Sequence, residues 1–172
     1  MTDDDLRDDL DARRWEHVEE ATELLLDGNH PAALEHLKEV LTADPRNAYA
    51  YHYTGVALSE VGHHEPARDA FAAAVRVAPG YLAARIGLAH ALRRTGDFLG
   101  AITEARDALE QFPEDGDAHY AIALAFAAVG DRAAAVPHLE AFLRSGPEVE
   151  VQVEARQMLA ELLQGSGPID FE

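Results

Sequence analysis

Prolines stand at positions 45, 79, 113 and 147, and glycines at 28, 62, 96 and 130, each set stepping by 34 residues. Two residue types locked to one period leave little choice of architecture. A period in this range marks a solenoid, in which one supersecondary unit is stacked on copies of itself. Between each glycine and the next proline there is room for one helix, and between that proline and the next glycine for another. Each unit is therefore helix A, a tight turn, helix B and a second turn. Glycine ends helix A because it adopts the left-handed conformation beyond a helix C-terminus without a Cβ clash. Asn29, Asp97 and Asp131 follow three of these glycines and supply N-caps for helix B. Pro31 and Pro66 fit its first turn, where a missing N–H costs nothing. The periodic proline stops helix B, since the residue before it is pushed out of the α region.

Matched phases carry matched residues. Helix B has Ala33, Ala67, Ala101 and Ala135 at one position, then Leu37, Phe71, Ala105 and Leu139 four residues on, then Val40, Ala74, Ala108 and Phe142 three further. That i, i+4, i+7 stripe predicts a buried face. Helix A has Ala21, Gly55, Ala89 and Ala123, with Leu24, Leu58, Leu92 and Phe126 three residues later. Small residues on both helices predict close approach. The pattern divides the chain into an acidic N-terminal extension of the first helix (1–13), four repeats (14–47, 48–81, 82–115 and 116–149), a capping helix (150–164) and a flexible tail (165–172). A terminal repeat must hide its last apolar face, and Val151, Ala155, Met158, Leu159 and Leu162 give the cap its stripe. Residues 3–27 are expected to form one extended helix, with Asp3, Asp4, Asp5, Asp8 and Asp9 near the positive end of its dipole. Pro137, early in the last helix B, predicts a kink or a shifted start.

The second repeat reads Tyr51-x2-Thr54-Gly55-x2-Leu58, then Ala67-x3-Phe71, then Pro79. This resembles the tetratricopeptide repeat, whose outline is Trp-x2-Leu-Gly-x2-Tyr, Ala-x3-Phe and Pro. The resemblance covers residues 14–149. It implies an all-α, right-handed superhelical solenoid of four tetratricopeptide-like helix-turn-helix repeats plus a C-terminal capping helix. The departures are His17, Arg85 and His119 where a large apolar residue is usual, and Glu20 in place of a leucine.

Composition narrows the function. With 32 acidic residues against 14 basic and a net charge of −18, the chain repels phosphate backbones and anionic membrane leaflets, so neither nucleic acid nor membrane insertion is expected. Without cysteine there is no disulfide, no zinc–thiolate site and no cysteine nucleophile. The acidic start lacks the apolar core of a secretory signal, and no apolar run approaches the roughly 20 residues that span a bilayer. The expectation is a cytoplasmic protein.

In the family it resembles, A helices line a concave groove that binds peptides. By that resemblance the groove carries Trp15, Val18, Thr22 and Leu25; Tyr49, His52, Val56 and Ser59; Ala83, Ile86, His90 and Arg93; and Asp117, Tyr120, Leu124 and Ala127. The best candidates for contact with a peptide or protein are Tyr49, His52, Val56, Ile86, His90, Arg93, Tyr120 and Leu124. Some family members clamp a terminal carboxylate with Lys, Asn and Arg. Val18, Thr22, Tyr53, Ala83 and Gly87 stand there instead, so that clamp is absent.

From Ala70 to Gly96 there is no Asp or Glu, while Arg76, Arg85, His90, Arg93 and Arg94 all fall in this stretch. Arginine beside Tyr and His suits a carboxylate, so the expected ligand is a peptide with acidic and aromatic residues docking at the third repeat. His63-His64-Glu65 and His30 lack the spacing of a zinc site and read as solvated turns. No nucleophile elbow, phosphate loop or dinucleotide fingerprint is present. The expected function is thus a non-catalytic adaptor, scaffold or assembly factor, with no cofactor, metal or catalytic residue. One alternative is a self-assembling scaffold whose ligand is another copy of the chain, the tail Pro168-Ile169-Asp170-Phe171-Glu172 being the docking motif. An enzyme or metal-binding protein is disfavoured.

Overall fold

A computed structural model describes residues 2–164 of the chain. The tail motif, with the rest of residues 165–172, lies outside the described residues. Among those described, every regular element is a helix: α1 (Asp3–Glu16), α2 (Glu19–Leu26), α3 (His30–Ala43), α4 (Ala48–Glu60), α5 (His64–Val77), α6 (Leu82–Arg94), α7 (Phe98–Gln111), α8 (Gly116–Ala128), α9 (Arg132–Arg144) and α10 (Val149–Gln164). The starts of α4, α6 and α8 are 34 residues apart, as are those of α5, α7 and α9.

The turns follow from local chemistry. Gly62 has φ 81°. Its N–H donates to Ser59 O at 3.1 Å and the His63 N–H to Leu58 O at 2.8 Å, a bond pair that satisfies the last carbonyls of α4. The same pair of bonds recurs after α2, α6 and α8. The side chains of Asn29, Asp97 and Asp131 then accept from the backbone N–H three residues on, capping α3, α7 and α9. Asn47 and Asp115 cap α4 and α8 in the same way, although the periodic pattern does not single them out. Asp44, Ala78 and Phe112, each before a periodic proline, leave their helices with φ near −130°, as the steric rule requires. The fourth exit differs: Ser145 stays helical and Gly146, at φ 75°, makes the turn ahead of Pro147.

One expectation for the helices is corrected. The extended first helix is broken at His17 and Val18, leaving α1 and α2 separate. The break sends Val18 and Ala21 fully into a core with Leu37, Val40 and Ala50, while the polar α1 turns toward the start of α4. Pro137 does not shift the start of α9, which begins at Arg132, in phase with α7. Pro137 and Ala133, whose carbonyl loses its usual donor, both lie on the exposed side of the helix.

Contacts divide the chain into two compact units, residues 1–87 and 88–172. In the first, the helix-B stripe is buried at Ala33, Leu37, Val40, Ala67, Phe71 and Ala74, none above 9% exposed. Gly55 and Gly87 both face the Phe71 ring: a Cβ on Gly55 would lie 2.8 Å from it, and one on Gly87 2.5–2.9 Å from it. In the second unit, Ala123, Ala127, Ala135, Leu139 and Phe142 share a core with Ala155 and Leu162 of α10, flanked by Val151, Met158 and Leu159.

Because Phe71 sits where two side chains would otherwise be, Gly55→Ala and Gly87→Ala should each destabilise the chain by about 1–3 kcal/mol in urea unfolding, the usual range for an overpacked core. Adding Phe71→Leu to Gly87→Ala should cost less than the sum of the single changes, because the smaller side chain relieves the clash. Full additivity would show that the ring and the glycine do not constrain each other.

Candidate functional site

In the first unit the candidate residues Tyr49 and His52 stand on α4 within a set of touching rings. Trp15 of α1 meets Tyr49 edge-on at 5.6 Å between centroids and Tyr53 at 6.0 Å. Tyr49 meets Tyr81 at 5.3 Å, and His52 lies 5.0 Å from Tyr53, 5.1 Å from Tyr81 and 5.6 Å from Phe71. Val56 and Ile86 are half-buried. Burial drives the electrostatics. It lowers His52 to about 4, so the ring is neutral near pH 7. It also raises the phenols of Tyr53 and Tyr81, and it lifts Tyr49 to about 12, with the Asp11 hydrogen bond adding to the rise. The rings therefore carry no charge, and the phenol hydroxyls keep their protons to donate.

Cavities open beside these residues. One, of about 280 Å³, is walled by Asp11, Arg46, Tyr49, Ala78 and Tyr81. Another, of about 380 Å³, lies among Glu16, His17, Glu20, His36 and Glu39. There the His36 Nε2–H donates to the His17 carbonyl at 3.0 Å, and Glu20 lies 3.6 Å from Nδ1.

In the second unit His90 and Arg93 of α6 face Tyr120 of α8. The His90 and Tyr120 rings are 6.4 Å apart, and Tyr120 stacks on Phe142 at 4.4 Å. His90 is depressed to about 4 by burial and by the cations Arg93 and Arg94, so it too is neutral. Arg93 is half-buried, and its Nε is enclosed with no hydrogen-bond partner among the described residues. Its pKa is lowered by burial and by Arg94, yet a guanidinium keeps its charge.

The remaining candidates divide. Leu124, at 8% exposure, and the fully buried Val18 belong to the core and are not available to a ligand. Arg85, from the acid-free stretch, donates to the Pro79 carbonyl at 3.0 Å and so holds the turn before α6. His119 likewise has a structural role. Its Nε2 lies 2.9 Å from the Pro113 carbonyl and its Nδ1 2.9 Å from Nδ1 of His138. Among the described residues no group of three or more His, Asp or Glu is arranged to hold a metal ion, and no helix is long and apolar enough to cross a membrane. Asp11, Arg46 and Tyr81 were not candidates. Asp11 reaches Tyr49 only because α1 is broken from α2, and nothing in the periodicity signals that break.

A family model described as tetratricopeptide repeat matches residues 18–81, 55–116 and 86–150. A tetratricopeptide repeat and J domain-containing co-chaperone of Cryptococcus neoformans is 32% identical over 89 residues, a match that takes in 52% of this chain but 17% of that protein. Among solved structures, a thermophilic tetratricopeptide protein of Thermus thermophilus superposes with a TM-score of 0.70 at 23% identity, covering 88% of this chain and 81% of the other. MamA of Desulfovibrio magneticus RS-1 gives 0.70 at 17% identity over 88% and 91%. The O-GlcNAc transferase of Thermobaculum terrenum gives 0.69 at 26% identity over 78% of this chain and 26% of the enzyme.

The two depressed histidines set a pH dependence. An unfolded histidine titrates near 6.5, whereas His52 and His90 in the fold stay neutral down to about 4. Between these values the unfolded chain binds protons that the folded chain refuses. Their contribution is complete above pH 6.5 and is lost as the pH falls toward 4. Discounted for partial exposure, each should remove roughly 1 kcal/mol of stability between pH 7 and pH 5. Thermal melts at the two pH values should show a smaller drop for His52→Gln and for His90→Gln than for the wild type, and equal drops would refute the assignment.

Proposed function

The chain belongs to the tetratricopeptide repeat family, and we propose that it works as a non-catalytic module that holds an acidic segment of a partner protein against its second unit. The observation that carries this reading is Arg93. A buried guanidinium nitrogen without an acceptor is costly, on the order of 1–3 kcal/mol. In a chain with 32 acidic residues a carboxylate for it would be easy to supply, yet none appears from Ala70 to Gly96. A partner's carboxylate would pair with the half-buried guanidinium head, whose charge no acidic residue of this stretch balances. Beside it the half-buried Tyr120 ring, stacked on the core residue Phe142, offers a flat apolar edge to an aromatic side chain of the same segment. The net charge of −18 favours a protein partner over nucleic acid.

Selection of a random peptide library on the folded chain should enrich sequences that combine Asp or Glu with an aromatic residue. Arg93→Glu should weaken the selected peptides at least tenfold, about 1.4 kcal/mol, with helix content unchanged by circular dichroism. Arg93→Lys should retain part of the binding, because it keeps the charge but loses the planar fork. Undiminished binding by Arg93→Glu would overturn the proposal.

A further inference from the structure

The first unit already holds something acidic and aromatic. The Tyr49 hydroxyl donates to Asp11 of α1 at 2.7 Å, and Trp15 of α1 packs on the rings of Tyr49 and Tyr53. Arg14 pairs with Asp44 at 2.7 Å, and the Asn47 side chain donates to the Arg14 carbonyl at 2.9 Å. These contacts come from the last six residues of α1. Farther back, Leu6 and Leu10 are 47% and 48% exposed, so these apolar positions of the helix are only partly covered. A 14-residue helix with so little burial is marginal by itself. Its docking therefore rests on a small set of side chains at one end.

The surface beneath it has capacity left over. Arg46 and Tyr81 wall the 280 Å³ cavity beside Asp11. The Arg46 backbone N–H donates to Asp44, but its guanidinium has no hydrogen-bond partner among the described residues, and neither has the Tyr81 hydroxyl. The cavity thus offers a cation and a neutral phenol donor next to the Asp11 carboxylate of α1.

We infer that α1 is a resident stand-in for a ligand on the first unit, and that an acidic, aromatic-bearing segment of a partner protein displaces it, placing a side-chain carboxylate on Tyr49, Tyr81 and Arg46 and a ring where Trp15 lies. The inference borrows from the proposed function only the chemistry of the ligand, and concerns a different unit. Such a partner competes with α1, so its apparent affinity is scaled down by the fraction of molecules in which α1 is undocked.

The probe is α1 itself, supplied in trans: an amidated peptide of residues 3–16 carrying Trp15→Phe, titrated against the full chain. Trp15 is the sole tryptophan, so its emission reports whether α1 is docked. The peptide should shift that emission to the red in the wild type. It should bind the Asp11→Asn chain about tenfold more tightly, since the competitor is weakened. In that background Arg46→Glu should abolish binding, and a peptide carrying Asp11→Asn should fail to compete. The free-acid form should bind no better than the amide; a marked preference for it would assign the cavity to a chain terminus instead and overturn the side-chain reading. Equal affinity for wild type and Asp11→Asn, or no binding to either, would overturn the stand-in role. Binding abolished by Arg93→Glu would overturn it as well, by placing the peptide on the second unit and leaving the proposed function standing.

Discussion

The closeness of neighbouring helices governs everything else in this chain. Alanine and glycine recur where one helix faces the next, and Phe71 shows how tight the fit is, its ring lying against the bare backbones of Gly55 and Gly87. Close approach orders side chains beyond the contact itself. With α4 held against α5, Tyr49, His52 and Tyr53 stand in one row of rings; with α8 held against α9, Tyr120 stacks on Phe142. The binding chemistry proposed here uses residues whose positions are consequences of that packing.

Much of this was legible in the sequence, because it is local. The Gly62 turn, the Asn29, Asp97 and Asp131 caps and the extended residues before Pro45, Pro79 and Pro113 each depend on a few neighbouring atoms, so residue type and spacing suffice to foresee them. The buried stripes follow from helical periodicity. Legibility failed where the answer lay in three dimensions. Residues 3–27 read as one helix because each segment favours helix, and the break at Val18 is decided by a core that only the folded unit assembles. Leu124 counted as a groove residue by its phase, yet its neighbours bury it. Arg93 could be named from the acid-free stretch, but that its Nε lacks an acceptor could not.

Charge is distributed with a purpose that the net value hides. A chain of net charge −18 keeps its buried rings neutral: burial holds His52 and His90 unprotonated and moves the Tyr81 phenol further from ionisation. On the proposed reading, neutral surface with few cations discriminates better than a strongly basic patch would. A broad positive field attracts any polyanion, whereas one guanidinium beside aromatic rings asks for one carboxylate in one place.

The His119–His138 pair has a consequence in proton counting. A carbonyl only accepts, so the contact with Pro113 fixes the His119 proton on Nε2, and the hydrogen between the two Nδ1 atoms must then belong to His138. One proton can be added without breaking this chain of bonds, because Nε2 of His138 still has a lone pair. The link between α8, α9 and the turn before α8 thus runs one way, His138 donating to His119 and His119 to the Pro113 carbonyl, so each ring is held in a single tautomer by its neighbour.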